Sequence, residues 1–261
     1  RLGFLGYLFD LAPMGIVGGD LLKAVMLARH HPDRRAEAVA TVFVDRIIGL
    51  YILFVVASVA ICVTGFWASP DGNIVLMCRA TLALTVIGGV GITIVLLPDL
   101  SKGRSTKMLG TIPYVGPTLE KLAEAVTMYR SKQLVLLSAA LMSVGVHSLF
   151  TASIFLIASG LYDTVPSFPM HFVISPVSAA TGVIPLPMGP FEAVLDYLYT
   201  KVPAAAGGAI VPGQGLVVAL GYRICCVMIA AVGICYYLSS RKEVAKYLHE
   251  AQDEGEPSGE V

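Results

Sequence analysis

The sequence predicts an all-α, polytopic integral membrane protein, and three observations predict it. Hydrophobic residues make up 56% of the 261 residues and charged residues only 14%, with a mean hydropathy of +0.77. Soluble domains carry about a quarter charged residues, so this composition belongs to a chain solvated by lipid. Four apolar runs are each long enough to cross about 30 Å of hydrocarbon as a helix. The charges gather in a few connecting segments instead of spreading along the chain. Their sum is zero, and no basic stripe points to a nucleic-acid partner.

The elements follow in order. The chain starts at Arg1 without a signal-peptide pattern. Leu2 to Leu11 reads as the tail of an apolar segment, so an upstream part is expected to be missing. Ile47 to Trp67 is the first span. Ser69-Pro70-Asp71-Gly72-Asn73 has turn residues, and Ile74 to Leu97 returns, with Arg79 able to snorkel to the interface. Asp99 to Gln133 is a long polar loop. Inside it, Leu119, Leu122, Val126 and Tyr129 recur at helical spacing from Thr118 to Gln133. That stretch reads equally well as an amphipathic helix on the membrane surface or as a helix packed on the loop. Leu134 to Ser159 is the third span and Leu216 to Leu238 the last. Residues 1–250 form one transmembrane domain in this reading, and the polar segment 251–261 is a disordered tail.

Between the third and last spans the chain is broken. Phe172 to Ile184 is apolar but short; Pro185, Pro187, Gly189 and Pro190 interrupt it; Phe191 to Tyr199 restarts as a short helix. Charge patterning gives this break a topology. Basic residues favour the cytoplasmic side. The segments 29–46 and 99–133 and the segment after the last span are basic, whereas 67–73 and 160–169 hold no Lys or Arg. Three spans then leave Gly160 outside, and the last span returns inside only if Met170 to Thr200 enters and leaves on the outer face. A re-entrant hairpin is therefore expected there. Phe9 to Ala28 is expected to form a second one by analogy. The two breaks share Pro-Met-Gly, at Pro13 to Gly15 and at Pro187 to Gly189, followed by an acid and later an Arg. Broken apolar segments in corresponding positions of two halves point to an inverted repeat with a binding site at mid-membrane.

The candidate site residues are Asp20, Lys23, Arg46, Glu192 and Arg223. A charged side chain inside hydrocarbon costs at least about 2.5–3.5 kcal/mol, so it faces protein or a wet cavity and marks a functional path by default. Arg223 lies within the last span and Glu192 just after the break. They can meet an anionic head group, or pair with each other as a structural clamp. Asp20 begins a helix-like run, and Lys23 attracts acidic head groups near the surface. Arg46 precedes a span, where a plain interface anchor competes with a role in the path. His147 reads as a hydrogen-bonded structural residue more than a proton relay. Asp163 follows Tyr162 as in half of an intramembrane aspartyl-protease signature, but it lies in a loop and the other half is incomplete, with Val17 in place of a glycine. No catalytic constellation, metal-ligand spacing, disulfide framework or cofactor motif is found.

The stretch from Pro13 through Gly18-Gly19-Asp20-Leu21-Leu22-Lys23, then Val44-Asp45-Arg46-Ile47-Ile48-Gly49-Leu50, resembles the lysylphosphatidylglycerol synthase transmembrane-region family. This is the flippase-like domain of bacterial multiple peptide resistance factors and their standalone relatives. Ile184-Pro185-Leu186-Pro187-Met188-Gly189-Pro190-Phe191-Glu192, with Arg223 in the next helix, agrees with that family's Pro/Gly-rich hairpin. Met188-Gly189-Pro190 departs from its more usual glycine-rich form. The resemblance implies a multi-pass protein of the bacterial inner membrane that moves aminoacylated or other anionic phospholipid, or a lipid-linked substrate, between leaflets. Within the sequence no soluble synthase domain follows the last apolar run. The alternatives are a lipid-binding membrane partner and part of a membrane transferase. A separate synthase or transferase partner and an oligomer are both compatible with the sequence.

Overall fold

The computed structural model describes residues 35–96 and 132–232, apart from 185, 187, 206 and 208. The expected hairpin at Phe9 to Ala28, the amphipathic stretch from Thr118 up to residue 131 and the tail 251–261 lie outside the described residues. Among those described, regular structure is helical. Four helices are long and apolar enough to cross a membrane: α1 (Arg35–Thr64, its apolar part Thr41–Thr64), α2 (Gly72–Leu96), α3 (Gln133–Leu161) and α6 (Gln214–Val232). Two shorter helices, α4 (Phe168–Ala179) and α5 (Pro190–Lys201), lie between α3 and α6. Contacts group Phe43–Ile184 with Met188–Tyr222 as one compact unit; residues 35–42 and 223–232 belong to a second.

The first span begins earlier than its charges suggested. Residues 35–44 contain neither Gly nor Pro, so nothing interrupts the helix ahead of Ile47, and Asp45 and Arg46 sit inside α1. Gly65 ends α1 with φ +69°, a left-handed conformation open to glycine. A 3₁₀ turn (Phe66–Ala68) follows. Asp71 then caps α2, its Oδ1 accepting the Asn73 N–H at 3.0 Å and the Ile74 N–H at 3.5 Å.

Polar and small side chains join the long helices, as expected where lipid supplies no hydrophobic drive between them. The Ser58 and Thr85 hydroxyls are 2.7 Å apart, and Thr85 Oγ1 lies 3.1 Å from the Phe54 carbonyl. A side chain at Gly89 would collide with Tyr51, whose hydroxyl lies 2.8 Å from the Cβ position. His147 Nε2 donates to the Gly49 carbonyl at 2.9 Å, tying α3 to α1 in the structural role its sequence setting suggested. Outward faces stay apolar: Val63, Leu134, Met142 and Leu149 are each more than 70% exposed, a surface suited to acyl chains.

The broken segment folds as a helix pair. Pro169 enters the first turn of α4, which therefore starts earlier than Phe172. A 3₁₀ turn (Ala180–Val183) follows α4. Pro190 opens α5 after Gly189, whose φ is +113°. α4 packs on both α3 and α5. The two ends of the pair meet: the Ala205 N–H donates to the Val165 carbonyl at 2.9 Å, beside a bridge between Pro166 and Ala204. The chain thus enters and leaves the pair at one end. The α1–α2 turn is at that end too, through a Lys201–Asp71 ion pair of 2.8 Å. So is the start of α6: Asp196 Oδ1 accepts the Gly213 and Leu216 N–H groups at 2.9 and 3.2 Å. The buried core (Ile61, Ile74, Ile154, Ile174, Leu195, Leu198, Val218) links all six helices.

Candidate functional site in the helix pair

Glu192 is the buried carboxylate of this region, only 4% exposed. It is the third residue of α5, and its Oε2 accepts the Gly189 N–H at 2.7 Å. This is the reciprocal half of a capping box. Glycine at the cap has no side chain to return the bond, but it alone tolerates the φ found there without strain. A negative charge in the first turn also complements the positive end of the helix dipole. Glu192 is nine residues from Lys201, where α5 reaches the shared end. At 1.5 Å per residue it lies about 14 Å along α5 from that end.

The other predicted residues are placed as follows. Asp20 and Lys23 lie outside the described residues. Arg46 is exposed on α1. It stands eighteen residues before Thr64, about 27 Å along α1 from the shared end. Arg223 is half-buried on α6, nine residues from Gln214 and about 14 Å along the helix. It falls in the second unit and Glu192 in the first, so each is described by itself.

Sequence reasoning missed three features of the helix pair. The first is a buried hydrogen-bonded pair. His171 on α4 and Tyr199 on α5 are 0% and 1% exposed, and His171 Nε2 lies 2.7 Å from the Tyr199 hydroxyl. His171 Nδ1 lies 3.0 Å from the Ser167 carbonyl, which can only accept, so Nδ1 carries the proton. Nε2 of the neutral ring then accepts from Tyr199. Phe155 of α3 packs edge-on against the imidazole at 5.2 Å. No local spacing announced the pair: His171 lies fourteen residues before Pro185 and Tyr199 nine after Pro190.

The second missed feature is the cluster of Asp71, Lys201 and Tyr197. The Tyr197 hydroxyl donates to Asp71 Oδ1 at 3.4 Å, and Lys201 Nζ stands 5.6 Å over the Tyr197 ring. The hydrogen bond from Lys201 lowers the Asp71 pKa, helped by the Asn73 and Ile74 N–H groups, and outweighs the partial desolvation that opposes it. The same bond raises that of Lys201. Ser-Pro-Asp-Gly-Asn did signal a helix cap at Asp71, but nothing local announced its partner 130 residues away. The third is the Asp196 cap on α6, which requires close approach: a Cβ on Gly215 would lie 2.8 Å from the Asp196 backbone nitrogen and 2.9 Å from the Leu195 carbonyl.

Ser175 and Thr151 hydroxyls are fully buried without a protein hydrogen-bond partner. With His171 and Ser178, Ser175 forms a polar stripe along α4 at helical spacing. Among the described residues no group of three His, Cys, Asp or Glu side chains is placed to hold a metal ion. Cys62, Cys78, Cys225 and Cys226 are free thiols. Asp163 is exposed in the α3–α4 connection.

The sequence profile of one family, described as Lysylphosphatidylglycerol synthase TM region, matches residues 1–233. No curated protein and no solved structure gives a match.

Proposed function

Because the chain belongs to the lysylphosphatidylglycerol synthase TM-region family, a family of membrane proteins linked to lipid handling, we propose that it translocates phospholipid between leaflets. The observation that carries this reading is Glu192, a buried carboxylate on the break of a helix pair whose two ends are clasped together; its distance of about 14 Å from that end puts it near half-depth if the pair dips in from the surface. A helix pair that enters and leaves at one end suits a re-entrant hairpin, and the basic segments put that end outside. Broken backbone at membrane depth is tolerated only beside protein or water, which is the setting a polar head group needs to cross. The α5 N-terminus offers positive potential to a phosphate at that depth, and Arg223, within the last span, is assigned a place on the path by the cost of a charge in hydrocarbon. In this reading Arg46 and Lys23 gather anionic head groups near the inner interface, and Asp20, the acid of the first break, lies near the path as Glu192 does in the second. The substrate in this reading is an aminoacylated or other anionic phospholipid of a bacterial inner membrane.

Leaflet exchange of labelled aminoacylated and anionic lipid in proteoliposomes tests the proposal. Arg223→Ala and Glu192→Gln are each expected to slow exchange by on the order of tenfold or more. Glu192→Gln keeps an acceptor for the Gly189 N–H and removes the charge, so it separates transport from capping. Wild-type exchange in both variants refutes the site, and exchange no faster than in protein-free vesicles refutes translocation.

A further inference from the structure

At the shared end of the helices, the α1–α2 turn and the end of α5 enclose a cleft of about 540 Å³. That is within the range of small-molecule sites, about 300–1,000 Å³. Phe66, Met170, Val202 and Ile210 supply apolar wall, Ser69 supplies a hydroxyl, and Lys201 supplies charge. Asp71 holds Lys201 at 2.8 Å, and both remain partly exposed, Asp71 by 23% and Lys201 by 40%. An ion pair open to solvent on one side is weak and exchanges partners readily. Trp67 stands between the lining residues Phe66 and Ala68 and is 57% exposed. Tryptophan favours the level of lipid head groups, so the cleft opens at the height where head groups lie.

The charges decide what the cleft takes. The connections at this end, residues 65–71, 162–167 and 201–213, contain Asp71, Asp163 and Lys201 and no other charged residue. Their sum is −1, which gives a bare anion no net attraction and sets the Asp71 carboxylate against it. A ligand carrying both signs satisfies both members of the pair as it opens. We propose that this cleft binds a phosphate–ammonium zwitterion of the kind zwitterionic phospholipid head groups present, the phosphate on Lys201 and the ammonium on Asp71. The apolar wall takes the glycerol end of the molecule. This goes beyond the lipid reading: the cleft takes a zwitterionic head group, distinct from the anionic lipid proposed for the path, and it stands or falls on equilibrium binding, not on transport.

Trp67 is the single tryptophan of the chain and sits between two lining residues, so its emission reports changes at the rim of the cleft. The full chain, purified in detergent, is titrated with short-chain phosphatidylethanolamine, short-chain phosphatidylglycerol, free phosphoethanolamine and inorganic phosphate. A saturable emission change is expected with phosphatidylethanolamine, and binding weaker by on the order of tenfold with phosphatidylglycerol and in Lys201→Gln and Asp71→Asn. Ala209→Phe, at an exposed lining position, is expected to abolish the response while retaining native helicity and the ion pair. Equal affinity for free phosphoethanolamine supports the chemistry and assigns the ligand to the aqueous side; preference for the lipid assigns it to the membrane. Equal affinity for phosphatidylglycerol or inorganic phosphate, or wild-type binding in Ala209→Phe or in both charge variants, overturns the proposal. Leaflet exchange in the same variants is read separately, so loss of one activity does not imply loss of the other.

Discussion

At the residue scale, the buried His171–Tyr199 pair is the sharpest structural commitment of the helix pair. Each side chain is placed so that its polar atoms point at the other or at backbone, and the pair crosses from α4 to α5 in the buried core. Tyr199→Phe removes the hydroxyl and leaves Nε2 of His171 buried without a donor. A buried polar group so stranded costs about 1–3 kcal/mol. The expected outcome is a lower unfolding midpoint in detergent for Tyr199→Phe, recovered in part by His171→Phe/Tyr199→Phe, which removes both partners. An additive double variant would show that the bond contributes nothing. The Asp71–Lys201 pair makes a different prediction, one of pH. Asp71 titrates below its ordinary value in the folded protein, so its contribution is present above the normal carboxylate range and fades as acid reaches the lowered value. Lys201 titrates above its ordinary value, so its contribution is present below the normal lysine range and fades as base reaches the raised value. The difference in thermal midpoint between wild type and Lys201→Gln is therefore expected to hold constant across neutral pH and shrink at both extremes. A difference that grows in acid contradicts the pairing.

At the element scale, the approach of α6 to α5 has no slack. Asp196 caps α6 only because Gly215 lets the helix start lie directly against the Asp196 backbone. Gly215→Ala must push the two apart or lose the cap. Overpacking of this kind costs about 1–3 kcal/mol, and the expected reading is reduced thermal stability together with loss of hydrogen-exchange protection at Gly213 and Leu216. Unchanged protection would mean that the helix ends can slide. How much of these elements could be read from sequence follows from the same physics. The four spans were legible because lipid demands uninterrupted apolar helix, and the agreement at Gly72–Leu96 and Gln133–Leu161 is within a few residues. The break at Pro185 to Pro190 was legible because proline and glycine act locally. α1 starts before Asp45 and Arg46 because charge alone does not end a helix that has Val44 on one side and Ile47 on the other. The ion pair at Asp71 and the contact of Gly215 with Asp196 were invisible because each depends on which helix ends become neighbours. That is settled by packing, not by any local spacing.

At the scale of the whole molecule, the ends of the helices carry the topology. One end gathers the α1–α2 turn, the α3–α4 connection, both ends of the helix pair and the start of α6, joined by the Lys201–Asp71, Val165–Ala205 and Asp196–Gly213 contacts. Its connections hold a net charge of −1, while the segments leading from the opposite ends of the spans carry Arg29, Arg34, Arg35, Lys102, Arg104, Lys107, Lys121, Arg130, Lys132, Arg241, Lys242 and Lys246. Basic residues within reach of the span ends are held on the cytoplasmic side during insertion. On that rule the proposed topology has the gathered end facing outward and the helix pair reaching into the membrane from outside without crossing it. Single cysteines placed in a cysteine-free background at Asp163 and at Ala205 are expected to react with a membrane-impermeant maleimide added to intact cells. A cysteine at Lys132 is expected to react only after the membrane is opened. Both Asp163 and Ala205 are exposed, and they flank the helix pair on either side. Labelling of one but not the other from outside would mean that the pair crosses the membrane and that the last span runs in the opposite direction. Glu192 would then lie near an interface instead of at half-depth, and the translocation path proposed through it would have to be abandoned.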